Sequence, residues 1–211
     1  MTGLIRAFIA IELPEALKQT IDHTQRGLKS LGLKMSWVKP EAVHVTLKFM
    51  GDILQSEIGH IYQAMVESTA EISPITCSIK GVGIFPNIRK PRVFWIGLDD
   101  KTQALTQLSR KLNDTIQTMT GNRIPAEHRP FKAHLTIGRI RSEPDTTRLI
   151  AGLKQFGMLT SEPFTATEIH LFQSQLFSSG AIHTWLKTAQ MMGRNLMIHP
   201  EPLTIHTEDN S

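Results

Sequence analysis

The sequence predicts an α/β (α+β) fold built from two copies of an open strand-and-helix unit related by a pseudo-two-fold axis. Three observations predict it. Strand-like and helix-like patterns alternate along the chain with no long linker and no low-complexity stretch. The order strand, helix, strand, helix, strand occurs twice, and such an internal repeat governs the choice of fold. The two middle strands carry one pattern, His44-Val45-Thr46-Leu47 and His134-Leu135-Thr136-Ile137, 90 positions apart.

In the first unit, Arg6 to Leu13 reads as a buried strand and Pro14 sits where a helix begins. Ala16, Leu17, Ile21, Leu28 and Leu31 give that helix its apolar stripe, which ends near Gly32. Val43 to Phe49 is the second strand, Ile53 to Val66 the second helix, and Thr76 to Phe85 the closing strand, stopped by Pro86-Asn87. In the second unit, Val93 to Leu98 is a strand, Leu105, Leu108, Leu112 and Ile116 mark a helix, and Phe131 to Ile140 is the middle strand. A short helix follows Pro144, Phe164 to Phe172 closes the unit, and Ala181 to Gln190 pairs back across Ser178-Ser179-Gly180. One domain over 1–191 is expected, its lobes formed by repeats at about 6–86 and 92–190. Residues 192–211 are expected to be a flexible C-terminal extension.

Hydrophobic residues make up 40% and charged residues 20% of the chain, as in a soluble globular protein. No apolar run approaches the roughly 20 residues of a membrane helix, and Arg6 interrupts the apolar start, which lacks the pattern of a signal peptide. Cys77 is the single cysteine, which excludes an internal disulfide and a Cys-rich zinc site and fits a cytoplasmic setting. The net charge of +4 and pI of about 9.3 favour polyanionic partners.

With 9 histidines and 21 threonines, one His-x-Thr triplet is expected about once by chance. Requiring apolar residues at the second and fourth places lowers that to about 0.15, and two copies to about one in a hundred. On a strand, each His and Thr share one face and the apolar residues the other. Two facing imidazoles suit hydrolysis of a cyclic phosphodiester, which needs a base for the attacking water and an acid for the departing oxygen. The hydroxyls of Thr46 and Thr136 can bond the non-bridging oxygens as charge builds. The strained ring lessens the need for a metal, and these strands carry no carboxylate cluster to hold one. The other histidines show no common ligand spacing, so no metal site and no cofactor is expected.

The paired motifs resemble those of the two-histidine phosphoesterase superfamily, in its RNA 2′,3′-cyclic phosphodiesterase branch, also called 2′-5′ RNA ligases. The resemblance runs through Arg6 to Ile11, Trp37 to Glu41, His44 to Gly51, Gly81 to Pro86, Pro91 to Trp95, Arg129 to Phe131 and Leu176 to Gly180. It implies a bilobal fold of two open sheets, helices on their outer faces, and a basic central groove. It also implies cleavage of the bond to the 3′ oxygen, leaving a 2′-phosphate, with His44 as proton donor and His134 as proton acceptor; near-symmetry leaves the reverse open. The implied partner is RNA with 2′,3′-cyclic phosphate ends, tRNA fragments among them, with the protein a monomer and 2′-5′ ligation a side activity. Ala133 stands where the family commonly has proline, and His183 where an aromatic is common.

Lys48 shares the parity of His44 and Thr46, and Lys132 that of His134 and Thr136, so each is a candidate for substrate phosphate, as is Arg129. Arg139 falls on the opposite parity. Trp37, Phe85 and Trp95 are candidates for stacking on bases, against the commoner role of strand aromatics in cores. Two other readings compete: an RNA end-binding module without turnover, and a phosphodiesterase for another small cyclic substrate.

Overall fold

The computed structural model describes residues 3–142, 144–177 and 180–193. In chain order the elements are β1 (Leu4–Ile11), α1 (Glu15–Ser30), β2 (Ser36–Trp37), β3 (Val45–Leu54), α2 (Ile58–Thr69), β4 (Ile75–Phe85), β5 (Val93–Asp99), α3 (Ala104–Met119), β6 (His134–Arg139), α4 (Thr146–Phe156), β7 (Phe164–Ala166), β8 (Glu168–Phe177) and β9 (Gly180–Gln190). Most helices and strands fall where the periodicities place them, but Ile53, read as the start of the second helix, lies in β3, which runs on to Leu54, and α2 starts at Ile58. The class is α+β, since every strand pair is antiparallel. One predicted strand, Phe164 to Phe172, divides at Thr167 into β7 and β8, which pair with different partners.

The strands form one hydrogen-bonded path, β7-β4-β5-β6-β3-β1-β8-β9, with β2 beside β6, rather than two separate sheets. The two histidine strands meet at its centre through one register pair, Val45 with Leu135. The repeats do not each form one half of this path. The closing strand of the first repeat, β4, lies beside β5, and that of the second, β8, lies beside β1. Division of the chain at 6–86 and 92–190 therefore describes the sequence repeats, whereas in the sheet β4 of the first repeat lies beside β5 of the second, and β8 of the second lies beside β1 of the first.

One face of the sheet packs on the helices through a core that includes Ile9, Ile21, Val45, Ile61, Phe94, Leu112, Leu135 and Ile169, all buried. Two buried polar side chains fix helices to the central strands. Gln25 of α1 donates through Nε2 to the carbonyls of Val38 (2.6 Å) and Ile137 (2.9 Å). Ser109 of α3 donates to the carbonyl of Leu47 at 2.7 Å. The opposite face carries a small separate cluster of Phe8, Ala10 and Phe172. Met192 and Gly193, at the start of the expected extension, bond back to the carbonyls of Thr69 and Ile72. The rest of that extension, 194–211, lies outside the described residues.

Candidate active site

A local two-fold axis passes through an antiparallel register pair, and the pair Val45 and Leu135 therefore relates the two motifs. Continuing that register by one residue sets His44 opposite Thr136 and Thr46 opposite His134. Residues opposite one another share a face, so both imidazoles and both hydroxyls stand on the face away from the helices. Each histidine is anchored in the same way. Nδ1 of His44 donates to the Ala42 carbonyl at 2.9 Å, and Nδ1 of His134 to the Lys132 carbonyl at 2.7 Å. A carbonyl only accepts, so each neutral ring keeps its proton on Nδ1 and offers Nε2 as the lone-pair nitrogen.

Different aromatic side chains flank the two rings. Phe8 stacks on His44 with centroids 4.6 Å apart, and Phe172 stacks behind Phe8 at 5.2 Å. His183 of β9 approaches His44 edge-on at 5.4 Å. Phe85 meets His134 edge-on at 4.9 Å, and Trp95 lies at 6.5 Å. The strand exchange supplies these neighbours: Phe172 reaches the first histidine from the second repeat, and Phe85 reaches the second histidine from the first.

This packing sets the titration. Burial, and then the neighbouring His183, hold the His44 imidazolium down to about 4. Burial also lowers His134, with the Lys132 and Arg139 cations adding to the shift and the Lys132 carbonyl opposing it. Arg139 lowers His44 as well.

The remaining sequence candidates divide. Lys132 remains beside His134, its ammonium 4.4 Å above the Trp95 ring, at an open cleft of about 470 Å³ lined in part by Trp95, Gly97 and Phe131. Lys48 does not lie on the histidine face. The register steps from Ala10 with Thr46 to Ile9 with Lys48, so Leu47 is an extra residue, and this β-bulge turns Lys48 toward the helices. Only 4% exposed, Lys48 donates to Asn113 Oδ1 at 2.6 Å and to the Pro125 carbonyl at 2.8 Å. Arg129 is also set apart: its side chain is 87% exposed and pairs with Glu127 at 2.8 Å. Trp37 packs under the Lys29 ammonium of α1 at 5.2 Å.

Sequence parity missed Arg139 for the reason it misplaced Lys48. β6 has an equivalent bulge at Ile137, where the register steps from Trp95 with Thr136 to Phe94 with Gly138. Arg139 is thereby returned to the histidine face, in keeping with its effect on both imidazoles. Phe8 and Phe172 were also missed, since a continuous apolar run such as Phe8-Ile9-Ala10-Ile11 does not reveal which face each residue takes. Among the described residues, no group of three or more His, Cys, Asp or Glu side chains is placed to hold a metal ion.

The model of the family described as LigT like phosphoesterase matches the chain twice, over residues 11–95 and 96–183. The RNA 2′,3′-cyclic phosphodiesterase of Methanothermobacter thermautotrophicus is 31% identical over 180 residues, 85% of this chain and 95% of that protein. The Aquifex aeolicus protein of the same name is 31% identical over 183 residues, 86% of this chain and 94% of its own. A solved structure from Thermus thermophilus shares the fold with a TM-score of 0.73 at 23% identity, over 90% of this chain and 99% of its own. E. coli LigT complexed with 3′-AMP gives a TM-score of 0.69 at 20% identity, with the same two coverages. With the family model spanning both repeats and relatives above 30% identity along most of their length, this chain belongs to the LigT like phosphoesterase family.

Proposed function

We propose that the chain hydrolyses 2′,3′-cyclic phosphate ends of RNA to 2′-phosphomonoesters, with His44 as proton donor and His134 as proton acceptor. The observation that carries this reading is the two-fold pair of imidazoles, each tethered through Nδ1 to the carbonyl two residues before it. Each leaves Nε2 free to hold or take a proton. Water attacks phosphorus and gives a proton to His134 Nε2. The bond from phosphorus to O3′ breaks, and His44 Nε2 delivers a proton to O3′. The products are a 3′-hydroxyl and a 2′-phosphate, and the two histidines exchange protonation states before the next turnover.

Burial holds both imidazoles below their ordinary range, so both rest neutral near pH 7, and His44 serves as the acid once the charge of the bound substrate has raised it. His134 is the other member of the pair and takes the proton of water. The anionic phosphate offsets the penalty for charging His44, because a nearby negative charge favours the imidazolium. Thr46 and Thr136 supply hydroxyls to the non-bridging oxygens, and the Arg139 cation favours the charge that develops there. The names of the curated relatives point to the same substrate.

The test uses purified protein, EDTA and a short RNA ending in a 2′,3′-cyclic phosphate. Wild type should yield a 2′-phosphate, and His44→Ala and His134→Ala should each lose about 10²- to 10⁴-fold in rate. Bound RNA with intact cyclic ends would instead identify an end-binding module, and a 3′-phosphate product would overturn the choice of leaving oxygen.

A further inference from the structure

On the histidine face an aromatic row crosses four strands. The register pairs Phe8 with Phe49 on β3, Phe8 with Phe172 on β8, and Phe172 with Trp185 on β9. Phe8 and Phe172 are buried under His44 and His183, but Trp185, at the outer end, is 54% exposed. Its indole is not loose. It lies flat on the imidazole of His170, with centroids 4.6 Å apart and planes within 3°. His170 is itself 2% exposed and is held by Thr188 Oγ1 at 2.9 Å from Nδ1. One face of Trp185 is thus fixed from below while much of the ring stays open to solvent.

A flat aromatic surface held in place before binding is what a nucleobase needs for stacking, because little further ordering is required. Its position selects which base. A 2′,3′-cyclic phosphate ends the chain at its 3′ side, so an RNA held with that phosphate at the histidines continues only in the 5′ direction. The buried Phe8 and Phe172 separate His44 from Trp185, and the half-buried His183, 5.4 Å from His44, is the nearer ring open to the terminal nucleoside. Trp185 is one unit further out, along the same face.

Resting on the proposed cyclic phosphodiesterase reading, we propose that Trp185, backed by His170, is a stacking subsite for the base of the nucleotide 5′ to the cyclic end. The protein therefore favours oligonucleotide ends over cyclic mononucleotides.

The test compares a 2′,3′-cyclic mononucleotide with a dinucleotide bearing the same cyclic end, on wild type, Trp185→Ala and Trp185→Phe. Loss of a stacked base corresponds to about a five- to a hundred-fold rise in KM. That rise should appear for the dinucleotide with Trp185→Ala, with kcat little changed, with the mononucleotide unaffected, and with most of the loss restored in Trp185→Phe. An equal effect on both substrates would place Trp185 at the terminal base and overturn the proposal, as would no effect on either. Binding of the corresponding 2′-phosphorylated mono- and dinucleotide is measured on the same three proteins. Should wild type open neither cyclic substrate, the phosphodiesterase reading fails, and the dinucleotide's affinity advantage and its loss in Trp185→Ala still decide the subsite.

Discussion

Replacing Lys48 by methionine separates two accounts of the first histidine strand. By plain alternation Lys48 stands beside His44 and Thr46 and holds substrate phosphate; by the bulge at Leu47 it faces the helices and holds the structure together. The magnitude follows from its partners. The ammonium donates to Asn113 Oδ1 and to the Pro125 carbonyl, and bonds from a charged donor contribute about 1.5–3 kcal/mol each. Removing it also removes the penalty for burying a cation, which holds the lysine below its ordinary range against the pull of Glu127 and Asp114. After substitution Asn113 Oδ1 still accepts the Glu127 backbone N–H at 2.7 Å, whereas the Pro125 carbonyl loses this donor. One buried acceptor left bare costs about 1–3 kcal/mol, so a net loss of about 2 kcal/mol is expected. In a domain of this size that lowers Tm by about 4–8 °C. Thermal unfolding followed by circular dichroism gives the first quantity, and initial rates on a cyclic-phosphate RNA give the second. Lys48→Met should be less stable with an unchanged KM. A raised KM at unaltered Tm would refute the bulge argument.

Four further outcomes are expected. Because the productive state holds one proton between two histidines that both titrate below the ordinary 6.5, kcat/KM should peak in mildly acidic solution. Above that peak it should fall about tenfold per pH unit, and a profile still rising at pH 8 would contradict the assignment. His183→Phe removes a neighbour that depresses His44, so the acid limb of that profile should move to higher pH, and an unmoved limb would count against the contact. Thr46→Val and Thr136→Val should each lower kcat by about 10²-fold with little change in Tm, measured by single-turnover kinetics and calorimetry. Cys77 is buried and its thiol is pushed up to about 12, chiefly by burial, so it should resist maleimide in the native protein and react once unfolded.

Sequence alone located the two motifs because a period-two pattern repeated on equivalent strands leaves a mark in the letters. His44, Thr46, His134 and Thr136 needed only that pattern to be placed on one face. Lys48 and Arg139 escaped it for one shared reason: a bulge inserts a residue without changing composition, so parity counted past Leu47 or Ile137 comes out reversed. The exchange of β4 and β8 was equally hidden. Each strand reads as the end of its own repeat, and only the register with β5 and β1 shows that it closes the other half. Phe172 and Phe85 follow from that exchange, which is why their partners could not be named from spacing. His183 stood out in the letters as a departure from the expected aromatic; its ring nevertheless packs edge-on against Phe8 at 4.9 Å, as an aromatic side chain there would.

The exchange of closing strands also sets the timetable on which this protein can be made. β1 leaves the ribosome first and can pair with β3 soon afterwards, but its other edge, Ala7 to Ala10, belongs to Gln173 to His170. Those residues are translated roughly 160 positions later, on the order of ten seconds at ordinary elongation rates. Through that interval an apolar strand edge stands ready to accept any other extended chain. The half of the sheet built on β3 and β1 cannot close until β8 has been made, so a nascent chain that stalls before then is the species most prone to aggregate.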